Sequence, residues 1–289
     1  MNSDVVMTTP QPGAAPADDW VMPFRRTGTL PPLFCVCAGG GDVFDYRDLA
    51  LALPEPLPVY VFGVPPFAVD GGHTTVQQLA AIYVRAARAR QPHGPYRLCG
   101  HSFGGLVVYE MAVQLANAGE QVGLVALIDT LHPAFKRRMS AAERARFQAR
   151  YAADRVAKYA RNLATGRIDR IARDGWDFVS HRGKRLAWKI ARSVSARLGR
   201  PMPDAMRSDE AILVSAWHSY ESGSYAGRLL LLTAAERPPE FGRDATLGWR
   251  GCATGAIDIH VVPGDHYSIM HPPHVRALVE RLVPHLAGR

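Results

Sequence analysis

Tyr96-Arg97-Leu98-Cys99-Gly100-His101-Ser102-Phe103-Gly104-Gly105 is the stretch on which the reading of this chain turns. Tyr96 to Cys99 reads as a short strand, and Phe103 opens an amphipathic helical run to about Ala118 that Gly119 closes. Between them stands G-x-S-x-G. A serine at a sharp strand-to-helix turn needs glycine two positions on each side, because the backbone crosses itself closely there and a Cβ would clash. The hydroxyl then points out of the turn, beside the amide donors of the helix N-terminus. A serine that merely occupies a tight turn is the competing reading of Ser102. Five residues recur by chance; the strand before and the helix after are what favour a nucleophile.

Outward from this turn the chain alternates in the same way. Leu33 to Val36 reads as a strand leading into Gly39, Gly40 and Gly41, and Val59 to Phe62 as a second strand. Thr75 and Gln78 form a capping box ahead of Val76, Leu79, Ile82 and Tyr83, which predicts a helix over Val76 to Arg90. A strand over Val122 to Ile128 follows the elbow helix. Strand character then lapses for about ninety residues and resumes at Arg228 to Leu232 and Asp258 to Val262, before a last helix after Pro273. The order β, α, β, α, β predicts an α/β fold with a mostly parallel central sheet and helices on both faces. The long interruption, at about 133–222, reads as a helical lid insertion over the carboxyl ends of the strands, where open α/β sheets carry their sites. Pro10, Pro12, Pro16 and Pro23 make residues 1–28 read as a flexible lead-in or linker, with the domain proper at 29–289.

Composition limits the alternatives. With 289 residues and 47% apolar content the chain can bury one substantial core. No stretch approaches the roughly 18 to 20 apolar residues of a membrane span, and the start lacks a signal pattern, so a soluble, cytoplasmic protein without a membrane partner is expected. Cys35, Cys37, Cys99 and Cys252 sit in apolar settings and read as buried thiols. The net charge of +8 is local, since Lys136 to Arg200 holds 19 Lys or Arg against 5 Asp or Glu. No nucleic-acid-binding spacing accompanies that patch, so a solvated helical surface, or a site for an acidic or phosphate-bearing partner, is expected instead.

A serine hydroxyl is a weak nucleophile near neutral pH and needs a base. Among 11 histidines, His266 in Pro263-Gly264-Asp265-His266-Tyr267 follows the last strand in a turn-rich loop, which is where this chain order puts it. His260 lies within that strand, while His271 and His274 flank two prolines; no H-E-x-x-H pattern supports a zinc site, and no metal is expected. Two acids compete to orient the imidazole. Asp129 ends the strand Val122 to Ile128 and Glu236 follows Arg228 to Leu232, and strand-end placement fits both. An oxyanion hole would take its amides from Phe103 and from Gly39 or Gly40.

Taken together, these motifs resemble the thioesterase domains that end nonribosomal peptide synthetases and polyketide synthases, of the α/β-hydrolase superfamily. The resemblance runs from about Thr27 to Leu286. It is carried by Pro31-Pro32-Leu33-Phe34-Cys35-Val36, by Pro95 to Gly105, by Leu127-Ile128-Asp129-Thr130, by Leu247-Gly248-Trp249 and by Pro263-Gly264-Asp265-His266-Tyr267. It implies Asp129 as the acid, with Glu236 the runner-up, and the second oxyanion amide at Gly39. Cys37-Ala38-Gly39-Gly40-Gly41 departs from the His-Pro-Ala-Gly-Gly frequent in the family.

The implied chemistry is release of a polyketide or peptide acyl chain from the phosphopantetheine thiol of an acyl or peptidyl carrier protein. The chain passes to Ser102 and then to water, or to an internal hydroxyl or amine in a macrocyclisation; hydrolysis is the expectation. No cofactor of the chain's own is implied. The basic insertion would suit an acidic carrier, and Trp176, Phe178 and Trp188 would line an acyl pocket or pack the lid. A general carboxylesterase would share the triad but prefer oxyesters, and a non-catalytic binding module would have a broken one. Both a free-standing protein and the end of a megasynthase fit the lead-in.

Overall fold

The structure, a computed structural model, describes residues 20–39, 42–65, 74–146, 149, 209–237, 241 and 244–286. Its sheet has seven strands in the order β1-β3-β2-β4-β5-β6-β7. These are β1 (Val21–Arg25), β2 (Leu33–Val36), β3 (Val59–Phe62), β4 (Tyr96–His101), β5 (Val122–Ile128), β6 (Leu229–Glu236) and β7 (Ile257–Asp265). Only β1, on the edge, runs antiparallel to its neighbour; the other pairs are parallel.

Side chains alternate across this sheet with period two, as a pleated strand demands. Phe34, Val36, Leu98, Val125, Leu127 and Leu231 enter one apolar layer with α2 (Val76–Arg90), α3 (Phe103–Asn117) and the end of α5 (Asp209–Ser219). Leu33, Cys35, Cys99, Ala126, Ile128 and Leu232 enter the other with α1 (Arg47–Ala52) and α6 (Val275–Leu286). With both faces covered, the strands read as near-continuous apolar runs. Each fully buried Leu, Ile or Phe contributes about 1.5–3 kcal/mol, and two such layers hold the strand ends in place. α2 starts on the expected capping box: Thr75 Oγ1 accepts from Gln78 N–H at 3.1 Å, and Gln78 Oε1 accepts from Thr75 N–H at 3.0 Å.

One departure from expectation stands out. The stretch 1–28, read as lead-in, contains β1, which pairs with β3 and buries Val21. Pro23 obscured it, but an edge strand tolerates a residue without an N–H donor. Arg25 then fastens the strand: its guanidinium donates to the carbonyls of Ala50 and Leu57, each at 2.9 Å, and to those of Leu53 and Pro54. These include carbonyls that the end of α1 leaves without helical partners. Of 133–222, the described parts are α4 (Pro133–Arg138), the chain on to 146, residue 149, and 209–222. Leu213, Ala216 and Tyr220, at its far end, pack into the main core. Trp176, Phe178 and Trp188, and most of the basic stretch, lie outside the described residues.

The chain passes from β2 to β3 on one side of β2 and returns to β4 on the other. The carboxyl ends of β2 and β4 are therefore the switch point where a parallel sheet opens a crevice.

Candidate active site

Ser102 stands at that switch point, between β4 and α3, with φ 56° and ψ −120°. Such a conformation is costly for a residue with a side chain and persists only where its surroundings enforce it. Here they do. A Cβ on Gly104 would run into the carbonyl of Val36 on β2, and one on Gly100 into the backbone of Gly104. Both positions admit only glycine, so the turn closes tightly and lifts Ser102. Its N–H donates to Ile128 O at 3.0 Å, tying the turn to β5.

Asp129 follows β5 and turns the chain with φ 42°. Its N–H donates to Leu232 O at 2.7 Å, and its Oδ1 accepts from Ala234 N–H at 3.0 Å, so β6 aims the carboxylate. Oδ2 lies 2.7 Å from His266 Nδ1. Burial pushes this carboxyl up, but the hydrogen bond and charge of His266, with the Ala234 amide and Arg237, outweigh it and hold it below its ordinary value. An ionised carboxylate only accepts, so Nδ1 carries the proton and Nε2 of the neutral ring is left as an acceptor. That Nε2 lies 3.0 Å from Ser102 Oγ, within reach for proton transfer.

His266 rides on the loop after β7. Asp265 Oδ1 accepts from Tyr267 N–H at 2.9 Å and from Ser268 N–H at 2.8 Å, which folds the loop back on itself. Tyr267, 73% exposed, stands edge-on to the His266 ring at 5.2 Å.

The structure thus brings Ser102, His266 and Asp129 together. Glu236 lies at the exposed end of β6, in register with Asp265; the carboxylate bonded to His266 is that of Asp129. Phe103 opens α3, so its N–H belongs to the donors that a helix start leaves without helical acceptors. Gly39, on the loop after β2, comes close enough that a Cβ there would lie 3.7 Å from Phe103 Cβ. A pair of amides from the two loops can face a developing negative charge beside Ser102 Oγ.

Sequence pattern did not mark His101 or Tyr46. The ring of His101 bonds to the His266 carbonyl at 2.8 Å, and Tyr46 hydroxyl bridges β2 and β4. His101 was the variable residue of the G-x-S-x-G motif, and its apolar surroundings were the available signal. Among the described residues no helix is long and apolar enough to cross a membrane.

The thioesterase domain family matches residues 31–163, which include the Ser102 elbow and Asp129. The chain carries a thioesterase domain. Among relatives of this domain is a probable nonribosomal peptide synthetase, CymA, of Salinispora arenicola, 32% identical over 95% of this chain and 3% of its own length. Malpibaldin synthetase of Mortierella alpina is 28% identical over 94% of this chain and 4% of its own length. The chain therefore spans only a few hundredths of these relatives. The thioesterase domain of NocB, solved in covalent complex with a fluorophosphonate nocardicin G analogue, superposes with a TM-score of 0.62 at 23% identity, covering 92% of this chain and 99% of that one. A four-domain nonribosomal peptide synthetase bound to AMP and glycine gives 0.64 at 23% identity, over 92% of this chain and 20% of that one. The likeness to both solved structures is one of fold: the α/β-hydrolase type with its mostly parallel sheet.

Proposed function

We propose that the thioesterase domain releases a polyketide or peptide acyl chain from the phosphopantetheine thioester of a carrier protein, by hydrolysis through an acyl-enzyme on Ser102. The linkage Ser102 Oγ to His266 to Asp129, at 3.0 and 2.7 Å, carries this reading. The oxygen attacks the thioester carbonyl while His266 Nε2 takes its proton, and the Gly39 and Phe103 amides face the oxyanion. The C–S bond then breaks and His266 returns the proton to the leaving thiol. Water, activated by the same ring, attacks the ester; the free acid leaves and Ser102 regains its hydrogen. Asp129 holds the tautomer and faces the imidazolium. Release of a chain from a carrier protein is supported by the relatives, which include a probable nonribosomal peptide synthetase. The carrier and its phosphopantetheine are partner and substrate; the residues described supply the rest of this chemistry.

The test is intact-protein mass after mixing with a hydroxyacyl N-acetylcysteamine thioester, alongside Ser102→Ala. An acyl adduct on Ser102, lost in the variant and released as free acid, is expected. A product lighter by one water would move the assignment to cyclisation. Turnover of the matched oxyester in preference to the thioester would make the enzyme a carboxylesterase.

A further inference from the structure

Burying a polar ring costs free energy unless it finds a partner. His101 is only 6% exposed and lies directly before Ser102, where an apolar residue would pack without that cost. Its ring partner is the carbonyl of His266, 2.8 Å from Nε2. A carbonyl only accepts, so His101 is the Nε2–H tautomer and donates. The ring also lies 4.8 Å from the His266 ring, centroid to centroid. Burial, followed by the nearby His266 charge, pushes His101 down to about 4, which keeps it a neutral donor near neutral pH.

The backbone of His101 makes a second link. Its N–H donates to Tyr46 Oη at 2.8 Å, and that hydroxyl donates to Val36 O at 2.8 Å, at the end of β2. Val36 is the residue whose carbonyl packs on Gly104 and whose strand leads to Gly39. A continuous path therefore runs from the strand bearing the oxyanion loop, through Tyr46 and His101, to the backbone of His266.

We infer that His101 is a positioning residue that ties the loop of the base to the nucleophile elbow, with Tyr46 extending the tie to the oxyanion strand. The inference rests on the acyl-enzyme reading above. The side chain of His266 is 36% exposed and its loop follows the last strand of the sheet, so its ring depends on such ties to stay in line with Ser102 Oγ. A misplacement of an ångström at such a centre can cost about 100-fold in rate.

The experiment is the rate of Ser102 acylation by p-nitrophenyl acetate, a substrate too small to report on an acyl pocket, with thermal midpoints measured in parallel. His101→Leu removes the donor and keeps bulk; His101→Gln places an amide N–H near the position of Nε2. His101→Leu is expected to acylate about 10- to 100-fold more slowly at unchanged KM, His101→Gln within about threefold of the parent, and Tyr46→Phe about 3- to 10-fold more slowly. A His101→Leu protein that acylates at the parent rate would overturn the inference, as would equal losses in the Leu and Gln variants. If the Leu variant does not fold, a His101→Gln protein impaired more than tenfold while folded is the overturning result. Ser102→Ala separates the two levels: an adduct that persists there removes the acyl-enzyme reading and this inference with it. An adduct lost in Ser102→Ala but undiminished in His101→Leu removes this inference alone.

Discussion

The elbow around Ser102 and the loop around His266 meet across 3.0 Å, yet they are held by opposite means. The elbow is fixed by exclusion. Gly100 and Gly104 leave no room for a Cβ, and the strained φ of Ser102 has nowhere to relax. The loop is fixed by attachment: Asp265 folds it, Asp129 accepts from its ring and His101 donates to its carbonyl. Strain is thus concentrated on the nucleophile, while the group that must gain and lose a proton is held by bonds that can adjust. The difference predicts where substitutions act on rate and where they act on folding.

The sharpest break should come at Asp129, because its bond sets the tautomer of His266. Asp129→Asn retains an oxygen for the Ala234 amide but turns an NH2 toward Nδ1, forcing the proton to Nε2. A fall in kcat of about 10³- to 10⁴-fold is expected, with little change in the thermal midpoint. Glu236→Gln, at the exposed end of β6, should stay within about threefold. A larger loss from Glu236→Gln than from Asp129→Asn, measured under the same conditions, would transfer the acid to β6.

On the elbow side the damage should appear as instability. Gly104→Ala drives a methyl into the Val36 carbonyl, and that carbonyl is already engaged by Tyr46. The backbone has to move or β2 has to shift, at a cost of about 2–4 kcal/mol, read from the urea unfolding midpoint. A parental midpoint would show that the elbow has slack and that exclusion is not what fixes it.

The same contrast explains what could be read beforehand. The elbow is specified within five residues, so its glycines announced it, and the flanking helix α2 was legible from its capping box. Asp129 and Glu236 could not be told apart by position, since both follow sheet strands; the choice depends on the register of β5 against β6, which places the Ala234 amide on Asp129. The bonds of Tyr46 and His101 were not legible because they span 10, 55 and 165 residues of sequence. β1 was hidden by Pro23, whose meaning changes once the strand is known to lie on an edge.

Acid should loosen the tie between the two regions. His101 is held at about 4 when folded, against about 6.5 for a free histidine, so between those pH values the unfolded chain binds more protons. Stability is therefore present above pH 6.5, falls as pH drops toward 4, and by about 2–3 kcal/mol over that window for this group. The groups that act on it there are His266, Asp129 and His271. Asp129, lowered in the fold, adds its own loss only below about pH 4. Urea midpoints at pH 7 and pH 4.5 should differ less in His101→Gln than in the parent. Equal differences would place the acid sensitivity elsewhere.

A modest effect is expected at Asp265, where the loop folds on itself. Its carboxyl is pushed up by burial but pulled further down by the Ser268 and Tyr267 amides, so it is ionised near neutral pH and accepts from both. Asp265→Ala frees two amides that water can reach, which costs about 1 kcal/mol rather than the larger penalty of buried unpaired groups. Because Asp129 and His101 still hold His266 from two other directions, acylation should slow by no more than about tenfold. Asp265→Asn, which keeps an oxygen for the turn, should recover most of that loss. If Asp265→Ala instead slows acylation as much as Asp129→Asn does, the loop is rigid in its own right. Attachment through Asp129 and His101 would then be secondary to the local turn.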